Sequence, residues 1–167
     1  MGTPPHPEDP QIVVCCAILT VSDTRSPTTD RSGQLLQDLL RAAGHAIVAY
    51  EILPDEPHHL RDKLLQFARD PQLEAVICTG GTGIAPRDTT YEAISRLLDK
   101  ELPGFGELFR MLSYQEIGSR AMASRAIAGV YQNRLIFALP GSTNAVQLAM
   151  EKLILPELRH LTQLLQR

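Results

Sequence analysis

The sequence predicts a three-layer α/β/α fold, with a mostly parallel central sheet, helices on both faces and a small β-hairpin. Apolar runs at 12–21, 46–53 and 75–78 read as strands, and the third lacks polar alternation, as a strand buried on both faces does. Segments with apolar residues at helical spacing separate them, and strand–helix alternation three times over argues for a parallel sheet. The third run ends in Gly80-Gly81-Thr82-Gly83, at the strand end where open α/β sheets bind ligands.

Residues 1–11 read as a flexible arm, since Met1–Pro10 holds four prolines and two acids and lacks the basic and apolar regions of a signal peptide. Residues 12–167 read as one domain. The first strand leads into a polar loop from Ser22 to Arg31, and Ser32-Gly33 opens a helix with Leu35, Leu36, Leu39, Leu40 and Ala43 on one face. Gly44 stops it. After the second strand, Pro54-Asp55-Glu56-Pro57 is a turn, and a helix carrying Leu60, Leu64, Leu65 and Ala68 runs to Asp70-Pro71. The glycine loop follows the third strand, and Thr89 or Thr90 caps the next helix.

Beyond Glu101 the pattern changes. Leu102-Pro103-Gly104-Phe105-Gly106-Glu107 reads as a turn, and 108–117 as a helix. The hairpin spans 126–139 around Gln132-Asn133. Pro140-Gly141-Ser142 opens a last helix that Pro156 interrupts, leaving a short amphipathic tail to Leu165.

The chain has 167 residues, 44% hydrophobic and 21% charged, with a formal charge of −3. This composition is that of a soluble globular domain, and the acidic balance argues against nonspecific binding to nucleic acid or an anionic membrane. No apolar run approaches the roughly 20 residues of a spanning helix. The three cysteines, Cys15, Cys16 and Cys78, form no Cys-x-x-Cys pair. They read as buried reduced thiols, which fits a cytoplasmic location. No Cys/His set has zinc spacing.

The glycine loop sits beside Arg87 and Asp88. Glycines admit positive φ and close ligand approach, and such a loop can turn several N–H groups on one anion. No lysine follows as in a Walker loop, and Gly-Gly-x-Gly is not the dinucleotide spacing. A plain strand-to-helix turn is the competing reading.

Several motifs together carry a family resemblance. They are Leu19-Thr20-Val21-Ser22-Asp23, Asp30-Arg31-Ser32-Gly33, Pro54-Asp55-Glu56, Thr79-Gly80-Gly81-Thr82-Gly83, Arg87-Asp88-Thr89-Thr90 and Pro103-Gly104-Phe105-Gly106-Glu107. Arg110-Met111-Leu112-Ser113, Ser124-Arg125-Ala126 and Leu139-Pro140-Gly141-Ser142 continue the series. In this order they resemble the molybdopterin-binding family of molybdenum cofactor biosynthesis, over about residues 12 to 160. The 110–118 and 124–130 segments lean toward its protein B (MoaB) branch over its Mog branch.

The resemblance implies adenylyl transfer, in which the terminal phosphate of molybdopterin attacks the α-phosphate of ATP. Pyrophosphate leaves, and the product passes to a downstream molybdate-insertion enzyme. Asp55 and Asp88 would be the catalytic pair and would hold Mg²⁺, which takes one or two carboxylates with phosphate oxygens and water. Each can equally be a turn residue or cap. Some members of the protein B branch have lost these aspartates, so an inactive molybdopterin carrier is the alternative.

Gly80, Gly81, Thr82 and Gly83 would hold part of the ligand. Pro140, Gly141 and Ser142 would form a second cradle for phosphate or pterin, or Ser142 simply caps the last helix. Ser22, Asp23, Ser32 and Gly33 would line the crevice or cap helices. Arg87 would meet phosphate or brace Asp88. Glu107 is a ligand contact or a surface acid. Surplus apolar residues in the 112–117 helix and in the hairpin read as subunit contacts, and the resemblance implies a homo-oligomer, a hexamer in the protein B branch or a trimer.

Overall fold

The computed structural model describes residues 11–166, so nearly all of the expected N-terminal arm lies outside the described residues. One six-stranded sheet runs through the molecule. Its strands are β1 (Cys15–Val21), β2 (Ala46–Leu53), β3 (Ala75–Thr79), β4 (Lys100–Glu101), β5 (Ile127–Tyr131) and β6 (Arg134–Leu139). Their order is β2-β1-β3-β6-β5-β4. The first four in that order are parallel, and β5 and β4 add antiparallel pairs at one edge. The helices are α1 (Arg31–Ala42), α2 (Pro57–Ala68), α3 (Thr90–Leu97), α4 (Pro103–Ile117), α5 (Thr143–Ala149) and α6 (Leu155–Leu165).

Strand residues alternate between two cores, as period-2 geometry requires. Cys16, Ile18, Ile77, Phe137 and Leu139 pack under α1, α4, α5 and α6. Ala17, Leu19, Val76, Cys78, Ile136 and Ala138 pack under α2 and α3. Helices therefore cover both faces, and the predicted three-layer architecture is the observed one. All three cysteines are free thiols, and burial pushes the Cys78 thiol up to about 12. Among the described residues no helix is long and apolar enough to cross a membrane.

Three elements differ from their expectation. The hairpin is not a separate appendage: β6 pairs in parallel with β3, so its apolar residues fill the central core and leave no surplus for subunit contacts. Its turn is tight, with positive φ at Gln132 and Asn133. The Pro103-Gly104 segment is the first turn of α4, because proline at the start of a helix needs no N–H partner. Pro156 does not break the last helix. A π-helical turn over Met150–Ile154 joins α5 to α6, and the Leu155 N–H bonds back to the Met150 carbonyl.

Asp30 starts α1. It is fully buried, its Oδ1 accepts the Gly33 N–H at 3.0 Å, and its Oδ2 accepts the Tyr50 hydroxyl at 2.7 Å. Arg25 Nη1 adds a third bond at 3.1 Å. Burial alone would raise this carboxyl, but the hydrogen bonds from the Gly33 amide and the Tyr50 and Arg25 side chains help to outweigh it and hold Asp30 below its ordinary range. A folded pKa below the unfolded one contributes stability above the ordinary value of 3.8, and that stability is lost as pH falls through the folded value. Asp30→Ala removes the cap and strands Tyr50 and Arg25. Its expected cost is about 2–4 kcal/mol at pH 7, read from the denaturant midpoint, with the difference from wild type shrinking below about pH 4.

Candidate functional site

The C-terminal ends of β1, β3 and β6 meet in close packing. Gly80 has φ +96° and lies so near the Val21 carbonyl that no side chain fits. A Cβ on Gly141 would come within 3.3 Å of the Gly80 Cα. The Gly80 N–H donates to the Leu139 carbonyl at 3.0 Å. That amide extends the sheet ladder and is not free to hold a ligand, a correction to its expected role. The glycine loop's remaining amides, at Gly81, Thr82 and Gly83, make no hydrogen bond among the described residues.

The loop after β1 is knitted to the loop after β6. Ser32 Oγ donates to the Gly141 carbonyl at 2.7 Å, and Arg25 Nη2 donates to the same oxygen at 3.0 Å. Ser32 is buried, and the Gly33 N–H belongs to Asp30. Both residues thus spend their polar groups inside the fold. Ser22 Oγ accepts the backbone N–H groups of Thr24 and Arg25 at 3.2 and 3.1 Å, shaping the loop itself. Ser142 N-caps α5, its Oγ accepting the Ala145 N–H at 3.2 Å.

Asp55 and Asp88 come from different loops and lie against the same glycine loop. A Cβ on Gly81 would sit 2.7 Å from Asp55 Oδ2, and one on Gly83 would sit 2.5 Å from Asp88 Oδ2. Asp55 is buried to 8% exposure, and its Oδ1 accepts the Thr89 hydroxyl at 2.9 Å and the Thr89 N–H at 3.3 Å. That contact explains why Thr89, the residue before α3, makes no side-chain cap. Burial first, and the like charges of Asp88 and Asp23 after it, push the Asp55 carboxyl above its ordinary range against the Thr89 bonds. Asp88 Oδ2 accepts the Ala85 N–H at 3.1 Å, closing the loop on itself.

Arg87 does not brace Asp88. Its guanidinium reaches Asp23 and Glu56, each at 2.8 Å. The other oxygen of Asp23 accepts the Asp55 N–H at 3.0 Å, so Asp23 supports the turn that presents Asp55. Glu107 is exposed on α4.

Two further residues complete the arrangement. Arg125 donates to the carbonyls of Thr82 and Gly83 at 2.9 and 2.7 Å, pairs with Glu92, and lies over the Tyr91 ring at 4.7 Å. It clamps the loop from behind by its carbonyl oxygens. Thr90 is fully buried beside Gly81, and its hydroxyl has no hydrogen-bond partner. The sequence marks Arg125 only as part of a motif, because its partners lie more than 30 residues away in sequence.

Among the described residues no cluster of three or more His, Cys, Asp and Glu side chains could enclose a metal ion. Two carboxylates at one loop, with an unpartnered hydroxyl nearby, fit instead a hard cation such as Mg²⁺, which keeps most of its ligands from water and phosphate.

Residues 17–160 match the family described as "Probable molybdopterin binding domain". Molybdenum cofactor biosynthesis protein B of Bacillus subtilis (strain 168) is 53% identical over 164 residues, covering 98% of this chain and 96% of its own. A crystal structure of molybdenum cofactor biosynthesis protein B superposes with a TM-score of 0.92 at 52% identity, covering 96% of this chain and 99% of the other. The tungsten cofactor synthesizing protein MoaB from Pyrococcus furiosus superposes with a TM-score of 0.83 at 35% identity, covering 93% and 98%.

Gly81→Ala tests the close approach. Gly81 has φ +67° and a Cβ there would strike the Thr90 hydroxyl and the Asp55 carboxylate, so the expected loss is about 2 kcal/mol or more by denaturant unfolding. Gly104→Ala, whose Cβ meets nothing within 4 Å, is expected to change stability by less than about 1 kcal/mol.

Proposed function

The chain belongs to the molybdopterin-binding domain family, and from that premise we propose that it is a Mg²⁺- and ATP-dependent molybdopterin adenylyltransferase of molybdenum cofactor biosynthesis. The observation that carries this reading is the convergence of Asp55 and Asp88 on one glycine loop at the C-terminal edge of the sheet.

A terminal phosphate oxygen of molybdopterin attacks the α-phosphorus of ATP. A P–O–P linkage forms, the bond from the α-phosphorus to the bridging oxygen breaks, and pyrophosphate carries away that electron pair. Such chemistry depends on alignment and charge stabilisation more than on covalent help from the protein. Asp55 and Asp88 would hold Mg²⁺, which when bound neutralises phosphate charge. The free amides of Gly81, Thr82 and Gly83 would face phosphate oxygens, with Arg125 fixing their carbonyls. The N-terminus of α5 at Pro140, Gly141 and Ser142 would take the second anion by its exposed N–H groups. Asp23 holds Asp55 in place. The product would go to a downstream molybdate-insertion enzyme, in the cytoplasm.

The same reading assigns a homo-oligomer, trimer or hexamer. Leu108, Met111, Tyr114 and Ile117 on α4 and Met122 just beyond it are all exposed large apolar side chains, too many in one place for an ordinary solvated face. Met111→Glu with Tyr114→Glu is expected to shift the protein to smaller species in light scattering after size exclusion. An unchanged mass would remove this surface as the contact.

Asp88→Asn is expected to lower AMP transfer from ATP to molybdopterin on the order of 100-fold or more while leaving pterin binding and the melting transition close to wild type. Equal turnover would refute the role assigned to Asp88. Tight pterin binding by wild-type protein without AMP transfer would leave a carrier instead.

A further inference from the structure

Three loops meet at the C-terminal edge of the sheet through one guanidinium. Arg87, after β3, donates through Nη2 and Nε to Asp23 Oδ2 at 2.8 and 3.2 Å, and through Nη1 to Glu56 Oε1 at 2.8 Å. Asp23 follows β1 and Glu56 follows β2. Their side chains are exposed, 60% for Arg87, 42% for Asp23 and 38% for Glu56. Ion pairs this open to water are screened and weak.

The neighbouring arginines are held differently. Arg25 is bonded to the buried Asp30 and to the Gly141 carbonyl, and Arg125 to Glu92 and two loop carbonyls. Neither can leave without stranding a partner in the fold. Arg87 can. Phosphate offers a guanidinium a two-pronged, charge-assisted contact of matching geometry, stronger than an exposed carboxylate pair.

We propose that Arg87 is a transferable phosphate receptor, parked on Asp23 and Glu56 in the free chain and handed to phosphate when a polyphosphate enters the crevice. Glu56 is then a built-in competitor: its carboxylate sets how much of the guanidinium's attraction reaches the ligand. Asp23 keeps its bond to the Asp55 N–H during the exchange, so the turn carrying Asp55 stays in place while Arg87 moves. The inference rests on the proposed polyphosphate substrate but not on AMP transfer itself.

The test is calorimetric titration of inorganic tripolyphosphate with Mg²⁺ into the whole chain. Arg87→Ala is expected to weaken binding about tenfold or more, as loss of a charge-assisted contact does. Glu56→Gln is expected to tighten it about two- to fivefold by removing the competitor, and to do nothing in the Arg87→Ala background. The same gain in both backgrounds would mean that Glu56 acts only by its charge, and would overturn the exchange. So would unchanged affinity in Glu56→Gln, or wild-type protein that binds no tripolyphosphate. An AMP-transfer assay on the same variants keeps the two readings apart: exchange without transfer supports the parked receptor and defeats the adenylyltransferase.

Discussion

The C-terminal edge of the sheet depends on there being no side chain at position 80. Gly80 lies against the Val21 carbonyl on one side and Gly141 on the other, while its own N–H continues the ladder to Leu139. Strands β1, β3 and β6 can therefore end at one level, and the loops that leave them start from a common line. Any Cβ there would push the third strand away from the first. The left-handed backbone at Gly80 and Gly81 then turns the chain back so that the next amides lie unbonded. Close backbone packing thus comes first, and the chemistry of the loops is arranged on top of it.

Charge is the second constraint. Asp23, Asp55, Glu56 and Asp88 crowd one rim, and like-charge repulsion with burial is visible in the raised Asp55 carboxyl. The fold meets this in part with Arg87, whose contacts hold the Asp23 carboxyl below its ordinary range. An arrangement with this much negative charge is poorly matched to a bare phosphate and well matched to phosphate that arrives with a cation. The two other arginine networks, Arg25 with the buried Asp30 and Arg125 with Glu92, serve the scaffold by fixing loop carbonyls.

Much of this was legible in the sequence because local chemistry decides it. The runs at β1 and β3 are apolar and buried, and the buried stripes of α1 and α2 follow helical spacing, so the layers could be read directly. The start of α4 reads as a turn because Pro-Gly punctuates most chains, whereas proline in the first turn of a helix is tolerated. Strand β4, Lys100-Glu101, carries no apolar signal at all. Within the crevice the residue types were visible, but their partners were not. Whether the Gly80 amide is spent, or where Arg87 points, is settled by contacts between segments dozens of residues apart.

The turn at Gln132-Asn133 reaches further than its position suggests. It sets the register of β5 against β6, and β5 begins two residues after Arg125. Lengthening that turn by one residue would slide β5 along its neighbour and flip its faces, carrying the guanidinium off the Thr82 and Gly83 carbonyls roughly a strand's length away. The hairpin therefore works as a ruler, and the grip on the glycine loop is measured out from the opposite end of the sheet.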